Sequence, residues 1–451
     1  MTNIAHDGEN AVVAGYCPNY YTDTLHPVLV RPAAQGRLTT ETLVIGGGLA
    51  GLATAISLVE AGRHDVIVIE AGRIAAEASG RNCGQVLPGF SRGEHALIAD
   101  GGLAAAQALF GGTLRAQTLI SERVRRYGLD CGVMISGYVQ LAWWDRPEEL
   151  AAQCKFYNDN FGTDYMVWDR ATTRAAYVSD KFHGAIFSAA SGLQLHALNY
   201  AQGLAAAIER AGGKAYENTA AIAVQPLHGG WQVTTPQAVI QARQVVIAGG
   251  TGIVAQVSRP LARGVLAMHS FMGVTEPLSA ARVAALIRVP YCAYDTRNIM
   301  SYFRSVPDGA GMARLLFGCG ARMAAPLDCS ALVRQEMLRI FPQMQDVRLQ
   351  HVWSGQIGYG KDYMPLIGRL APGLYYNSGH GGHGLATTTF GGEAVAASIG
   401  GDDTLLRLFA PYQPRWVNHA IGRRIVAPLL LGWMGWKDRR RHGSNIATGA
   451  T

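Results

Sequence analysis

Apolar and polar positions are most strongly patterned from residue 42 onward. TLVI (42–45) is a short, β-branched apolar run, too short for a helix before the glycines that follow it. LATAISLVEAG (52–62) combines strong helix formers with an apolar face, and Gly62 stops it. DVIVIE (65–70) is a second strand ending in an acid. Helical periods follow over 94–127, 147–161, 197–212 and 330–340, with Pro147 placed for a first turn. Strands are predicted over 132–142, in a short antiparallel meander at 220–224, 231–234 and 238–242, and in a separate buried strand at 243–252 that ends in glycines. Residues 261–350 alternate short strands with turns. YYNS (375–378) is a strand, followed by a glycine–histidine turn and another helix. Residues 1–39 look irregular, broken by Pro18, Pro27 and Pro32.

Between the first two strands lies G-x-G-x-x-G, as Gly46, Gly48 and Gly51. The first glycine permits a tight turn, the second removes a side chain where backbone must approach a pyrophosphate, and the third lets the helix pack close to the sheet. The helix start then offers free N–H groups to an anion. Glu70, nineteen residues after Gly51, is placed to accept ribose hydroxyls, and its charge favours FAD or NAD over a 2′-phosphorylated dinucleotide. A tight βα turn without a ligand is the alternative. The fold class expected is α/β (α+β): a Rossmann-like dinucleotide domain with an inserted, mostly antiparallel sheet domain. No repeat or long linker appears. The dinucleotide half is assigned to 40–135, 196–258 and 350–410, the substrate half to 136–195 and 259–349, and a basic, apolar tail to 411–451.

Composition narrows the function classes. With 49% hydrophobic residues and a mean hydropathy of +0.09 the chain can bury a large core. Of the formal +7, the stretch 421–442 supplies six Lys/Arg against one Asp, so the body is nearly neutral and lacks the basic stripe a nucleic-acid groove needs. Seven scattered cysteines without C-x-x-C, together with the polar start MTNIAHDGEN, lead to an expectation of reduced thiols in a cytoplasmic protein. There is no zinc spacing, and no run of 18 apolar residues predicts a membrane span. Ile425–Trp436, apolar with two tryptophans and flanking arginines, is expected to dock on the body. Its alternative is to lie on an anionic membrane.

Several segments together resemble one family. SGRNCGQ (79–85), LQLHALNYAQGLA (193–205), W-S-G with MPLIG (353–368) and SGHGGHG (378–384) are similar to motifs of the D-amino-acid-oxidase-type FAD oxidoreductases. The tail RRIVAPLLLGWMGWKDRR is similar to that of the γ-glutamylputrescine oxidase-like branch. The resemblance implies FAD and oxidation of the C–N bond of an amine or amino acid to an imine. Hydride would pass to flavin N5, and O2 would reoxidise the flavin to give H2O2. The cofactor contacts it implies are Gly46, Gly48, Ala50, Gly51, Glu70, Ala71, Ser79, Arg81, Asn82, Gly84, Gln85, Ala221, Gly249, Gly379, Gly382, His383 and Gly384. Cys83 stands where the family usually has Gly, and Ala197 where the branch usually has Pro. Ala386 stands where sarcosine-oxidase-like members carry a carboxylate-binding lysine. Residues 353–364 lack the cysteine that tethers flavin in those members, which favours a non-covalent cofactor.

Such chemistry needs orientation and electrostatics more than an acid–base pair. Tyr302 and Arg304 share a strand face. Arg304 is a candidate substrate-carboxylate anchor, or else a surface arginine before a turn, and Tyr302 a hydrogen-bond donor or wall. His383 is a candidate at the flavin or is held by its glycine neighbours for backbone reasons. His196 reads better as a packing histidine, Lys361 as a loop lysine or a cation that assists oxygen, and Cys83 as a buried small side chain. Open alternatives are a flavin dehydrogenase feeding a quinone or carrier, an NAD-dependent dehydrogenase, and a non-catalytic flavin binder.

Overall fold

The computed structural model describes residues 15–132, 134–309, 311–326, 328–417 and 427–443. The polar N-terminal stretch 1–14 and tail positions 418–426 and 444–451, Ile425 among them, lie outside the described residues.

Two sheets organise the chain. The first has a parallel core in the order Leu374–Ser378, Ala238–Ile247, Gly36–Ile45, Val66–Ile69, Lys214–Tyr216, with Leu366–Ala371 antiparallel at one edge. Leu43, Val44, Val68, Val245, Val246 and Ile247 are fully buried, as strands covered on both faces require. The helices Leu49–Glu60 and Gly384–Ile399 pack on this sheet and on each other. A Cβ on Gly392 would lie 2.5 Å from the Ala53 carbonyl carbon, so glycine sets their separation.

The strands at 238–242 and 243–252, separate in the sequence reading, are one: Ala238–Ile247 runs unbroken. Its first half pairs antiparallel with Gly230–Thr234 while the whole strand pairs parallel with Gly36–Ile45. The polar QAR interruption is no break, because exposed Arg243 reaches Glu41 on the neighbouring strand at 3.3 Å. For the same reason the strand before the glycine turn is longer than TLVI: its polar first half, from Gly36, finds a partner in 238–242.

The second sheet has the order Leu349–Tyr359, Leu266–Thr275, Met312–Arg322, Ser301–Pro307, Cys292–Asp295, Ile135–Leu141, Ala185–Gln194, Gln85–Val86. All neighbours along it are antiparallel except Cys292–Asp295 with Ile135–Leu141. Gln85–Val86 and Leu349–Tyr359 belong to this sheet, although 85–86 and 350–359 are assigned from sequence to the dinucleotide half. Leu349–Tyr359 pairs along its length with Leu266–Thr275, a partner some eighty residues away that no local pattern reveals.

Helix Glu94–Tyr127 is, among the described residues, the one helix whose length and hydropathy would allow a membrane span. It is interrupted at Gly102, buries Leu109, Phe110, Ala116 and Ile120, and ties buried Arg123 to Glu60 at 2.6 Å, so it packs as a body helix. The tail forms helix Ala427–Gly443 and docks. The Asp438 carboxylate accepts from Asn298 N (3.1 Å), Asn298 Nδ2 (2.6 Å) and Ile299 N (3.2 Å). Leu429, Trp433 and Trp436 remain exposed. All seven cysteines are unpaired.

Candidate functional site

One cavity of about 1420 Å³ joins the two sheets. Small-molecule pockets occupy roughly 300–1,000 Å³, so there is room for a dinucleotide and a second small molecule together. The cavity opens at the carboxyl ends of the parallel strands, where open α/β sheets bind ligands. Ile45–Gly46, Ile69–Glu70, Ala248–Gly249 and Ser378–Gly379 all contribute.

The glycine end is shaped by close approach. Gly46 has φ +115°, and a Cβ there would lie 2.6 Å from Ala248 O. A Cβ on Gly51 would lie 1.9 Å from Gly46 O, so Gly51 seats the helix on its own turn. Gly51 does not line the cavity, whereas Gly46, Gly48 and Ala50 do. The glycine helix starts without a side-chain cap from its own N-cap residue, and Ser79 Oγ accepts from Leu49 N at 2.9 Å. The loop after Glu70 is thus tied to the glycine helix. Asn82 binds Ala78 O and Ser79 O, Arg81 binds Ala76 O, and Trp353 Nε1 donates to Arg81 O.

Glu70 lines the cavity. Its two oxygens accept from Gly47 N (2.7 Å) and Gly72 N (2.9 Å). Burial raises its carboxyl above the usual range, and the backbone donors offset this only in part. Further donors, such as ribose hydroxyls, suit it. At the opposite strand end His380 Nδ1 meets Thr387 Oγ1, whose own proton goes to His383 O, so Nδ1 carries the histidine proton. Among the described residues His380 Nε2 and Ser378 Oγ are buried without partners, and both residues line the cavity. Orphaned acceptors and donors beside two glycine turns fit a polar, elongated cofactor. Ala71, Ser79, Arg81, Asn82, Gln85, Ala221, Gly249, Gly379, Gly382, His383 and Gly384 also line this cavity.

Other predicted residues fall differently. Gly84 does not line the cavity. Its φ is +69°, and a Cβ would meet Leu195 O at 2.1 Å and the Arg304 guanidinium at 2.8 Å. Arg304, the expected substrate-carboxylate anchor, does not line the cavity: it is 5% exposed and donates from Nε to Cys83 O (2.7 Å) and from NH2 to Leu195 O (2.8 Å). Strand alternation correctly puts it on the face of Tyr302, but two residues further along the cavity has ended and the Cys83–Leu195 backbone begins. His196 is a packing histidine. Nδ1 accepts from Asn199 N, Nε2 meets Thr24 Oγ1, and burial lowers its pKa to about 3. Cys83 does line the cavity, with burial pushing its thiol up to about 12.

Over the second sheet, Tyr302 OH bonds Ser270 Oγ at 2.7 Å, and burial raises the phenol strongly. Met272, Tyr294, Gln140 and Tyr138 extend this wall. His383 lines the cavity, and its Nδ1 donates to Pro88 O at 3.2 Å; burial holds the ring below its ordinary pKa and so neutral, leaving Nε2 as an acceptor. Lys361 sits exposed at the rim. The sequence reading missed Ser270, Gln140, Tyr138, Tyr157, Tyr165, Tyr294 and Glu94. The tyrosine and glutamine of GYVQLA and the tyrosine of CAYD were visible as strand positions, but which face looks at the cavity depends on pairing.

Residues 41–398 match the family model DAO, FAD dependent oxidoreductase. The chain is 32% identical over 416 residues to the probable oxidoreductase OrdL of Haemophilus influenzae, covering 91% of this chain and 94% of that protein. It is 31% identical over 401 residues to the gamma-glutamylputrescine oxidoreductase of Escherichia coli, covering 88% and 92%. Among solved structures, L-proline dehydrogenase from P. horikoshii has a TM-score of 0.68 at 19% identity, covering 84% of this chain and 97% of that one. Glycine oxidase from Geobacillus kaustophilus has 0.66 at 20%, covering 85% and 99%. These two share the fold. With the dinucleotide turn, the acid at the second strand end and the sheet-walled cavity in place, the chain belongs to the DAO family of FAD-dependent oxidoreductases.

Proposed function

We propose that this protein oxidises the C–N bond of a small amine or amino acid to an imine, with O2 taking the electrons and releasing H2O2. The observation that carries the reading is the single cavity running from the glycine turns to the Ser270–Tyr302 wall, large enough for cofactor and substrate at once. When bound, FAD supplies the hydride acceptor at N5. Gly46, Gly48, Glu70 and Ala71 are the residues to hold its adenosine and pyrophosphate portions, and Gly379–Gly384 its ring end. The buried, largely apolar walls favour the neutral amine by disfavouring its charge. Tyr302, fixed by Ser270, and neutral His383 orient it. The relatives' names, gamma-glutamylputrescine oxidoreductase among them, support an amine donor. Cys83, held protonated by burial, supports a non-covalent cofactor. The seven unpaired cysteines support a reducing, cytoplasmic setting.

Acid precipitation should release free FAD into the supernatant. A panel of amines and amino acids should bleach the flavin anaerobically and, in air, release peroxide in step with amine loss. Flavin that stays in the pellet refutes the non-covalent claim, and flavin that no amine or amino acid bleaches refutes the donor class. One observation favours a second reading, a dehydrogenase delivering electrons at a membrane: Leu431 and Met434 of the tail helix line the cavity while its Leu429, Trp433 and Trp436 face outward. Flavin reduced by substrate that persists in air but reoxidises with a quinone would decide for it.

A further inference from the structure

Beyond Tyr302 the cavity continues into a chamber that the oxidation of a simple amine does not require. Tyr302 pairs with Tyr294, and Tyr294 with Gln140, on adjacent strands and therefore on one sheet face. Tyr138 lies two residues before Gln140 on that face. Its ring is 5.9 Å from those of Tyr294 and Tyr165, and Tyr165 is 5.3 Å from Tyr157. Strands are spaced about 4.8 Å apart, so the far wall at Gln140 is about 10 Å from Tyr302.

Into this chamber projects Glu94, from the first turn of helix Glu94–Tyr127. It is 7% exposed, and its Oε2 accepts from Tyr157 OH at 2.5 Å. The described residues contain three buried carboxylate side chains, and the other two have cationic partners. Glu217 meets Arg73 at 2.6 Å, and Asp295 meets Arg297 at 2.7 Å. Among the described residues Glu94 has no basic partner. The helix start and the Tyr157 phenol offset its charge there, and burial pushes its carboxyl upward. Tyrosine faces attract cations electrostatically, most strongly where water is excluded. A buried carboxylate without a counter-ion, ringed by tyrosines and open only to a substrate cavity, is complementary to a cation brought in by the ligand.

We propose that the chamber of Glu94, Tyr138, Tyr157, Tyr165 and Tyr294 binds a second, distal ammonium group of the substrate. The substrate class is then an aliphatic amine carrying another cationic nitrogen several carbons from the one oxidised. This rests on the amine-oxidation reading above. The reacting nitrogen lies at the Ser270–Tyr302 end, and the methylene chain runs along Tyr294 and Gln140.

The test uses the holoenzyme with 1,5-diaminopentane, pentylamine and 5-aminopentanoate, which carry a distal cation, no charge and an anion. In wild type, kcat/KM should favour the diamine over pentylamine by thirtyfold or more and disfavour the amino acid. Glu94→Gln should lower the diamine's advantage at least tenfold while leaving pentylamine within threefold. Tyr157→Phe removes the phenol but keeps the ring and the carboxylate, and should retain the preference. If Glu94 serves only to hold Tyr157, the two variants will instead act alike and on all three compounds, which overturns the proposal. An equal diamine advantage in wild type and Glu94→Gln also overturns it. Anaerobic calorimetry separates the two readings. If no amine bleaches the flavin, oxidation fails, yet diamine binding weakened tenfold or more by Glu94→Gln still upholds the chamber, and no binding or unchanged binding refutes it.

Discussion

At one end the cavity is walled by backbone: four parallel strands stop there, and glycines let the chain approach a ligand without side chains between. At the other end it is walled by side chains from strands more than 150 residues apart, Tyr138 against Tyr294. The difference teaches how the two ends respond to change. A backbone cradle tolerates almost no added atom, because a new Cβ collides with a carbonyl that cannot move. A side-chain chamber tolerates substitution without collapse and alters instead what it accepts. Variation at the glycine end should therefore be all-or-none for the cofactor, and variation at the tyrosine end graded for the substrate.

The largest expected effect tests the rigid end. Gly51→Val places atoms against Gly46 O, where even a Cβ has only 1.9 Å. Clashes of this kind belong to the rare class costing more than about 4 kcal/mol. The variant should be recovered without flavin or not recovered at all, as absorbance near 450 nm and denaturant unfolding will show. A yellow, fully stable variant would end the claim that this turn is closed by contact.

Arg304→Ala comes next. It leaves Cys83 O and Leu195 O buried without their donor, at about 1–3 kcal/mol each. The expected loss is about 2–6 kcal/mol of unfolding free energy, with KM of the folded enzyme little changed. A large rise in KM at unaltered stability would instead return Arg304 to the substrate.

Smaller still is Tyr302→Phe, which deletes one hydrogen bond to Ser270. At about 0.5–1.5 kcal/mol it should lower kcat/KM by roughly two- to tenfold without loss of flavin. Loss of flavin would mean that the two ends are not separable at this strand.

The most delicate test is the pH dependence of Glu94. Its folded-state pKa is raised by burial, so its contribution to stability is fully present below the unfolded value, about 4.3. That contribution is lost as pH rises through the folded value. Glu94→Gln should therefore have a higher unfolding midpoint than wild type at neutral pH, and the gap should close on acidification toward about pH 4. Saturating diamine should raise the wild-type midpoint more than that of the variant. A wild type more stable than Glu94→Gln at neutral pH would show that the carboxylate is already compensated.

What the sequence determined by itself is the part written in consecutive residues. The turn from Gly46 to Gly51, the acid at Glu70 and helices 94–127, 147–161 and 330–340 follow from local period, glycine placement and spacing, because each obeys contacts within a few residues. Tertiary structure alone decided the rest. The reach of Ala238–Ile247, the transfer of Leu349–Tyr359 to the second sheet and the turning of Arg304 onto Cys83 O each depend on a partner brought in from elsewhere in the chain. So does the chamber around Glu94. Its tyrosines sit on Ile135–Leu141, Pro147–Phe161, Cys292–Asp295 and the stretch before Met166–Trp168, and only the packing of these strands and helices brings their rings to one carboxylate.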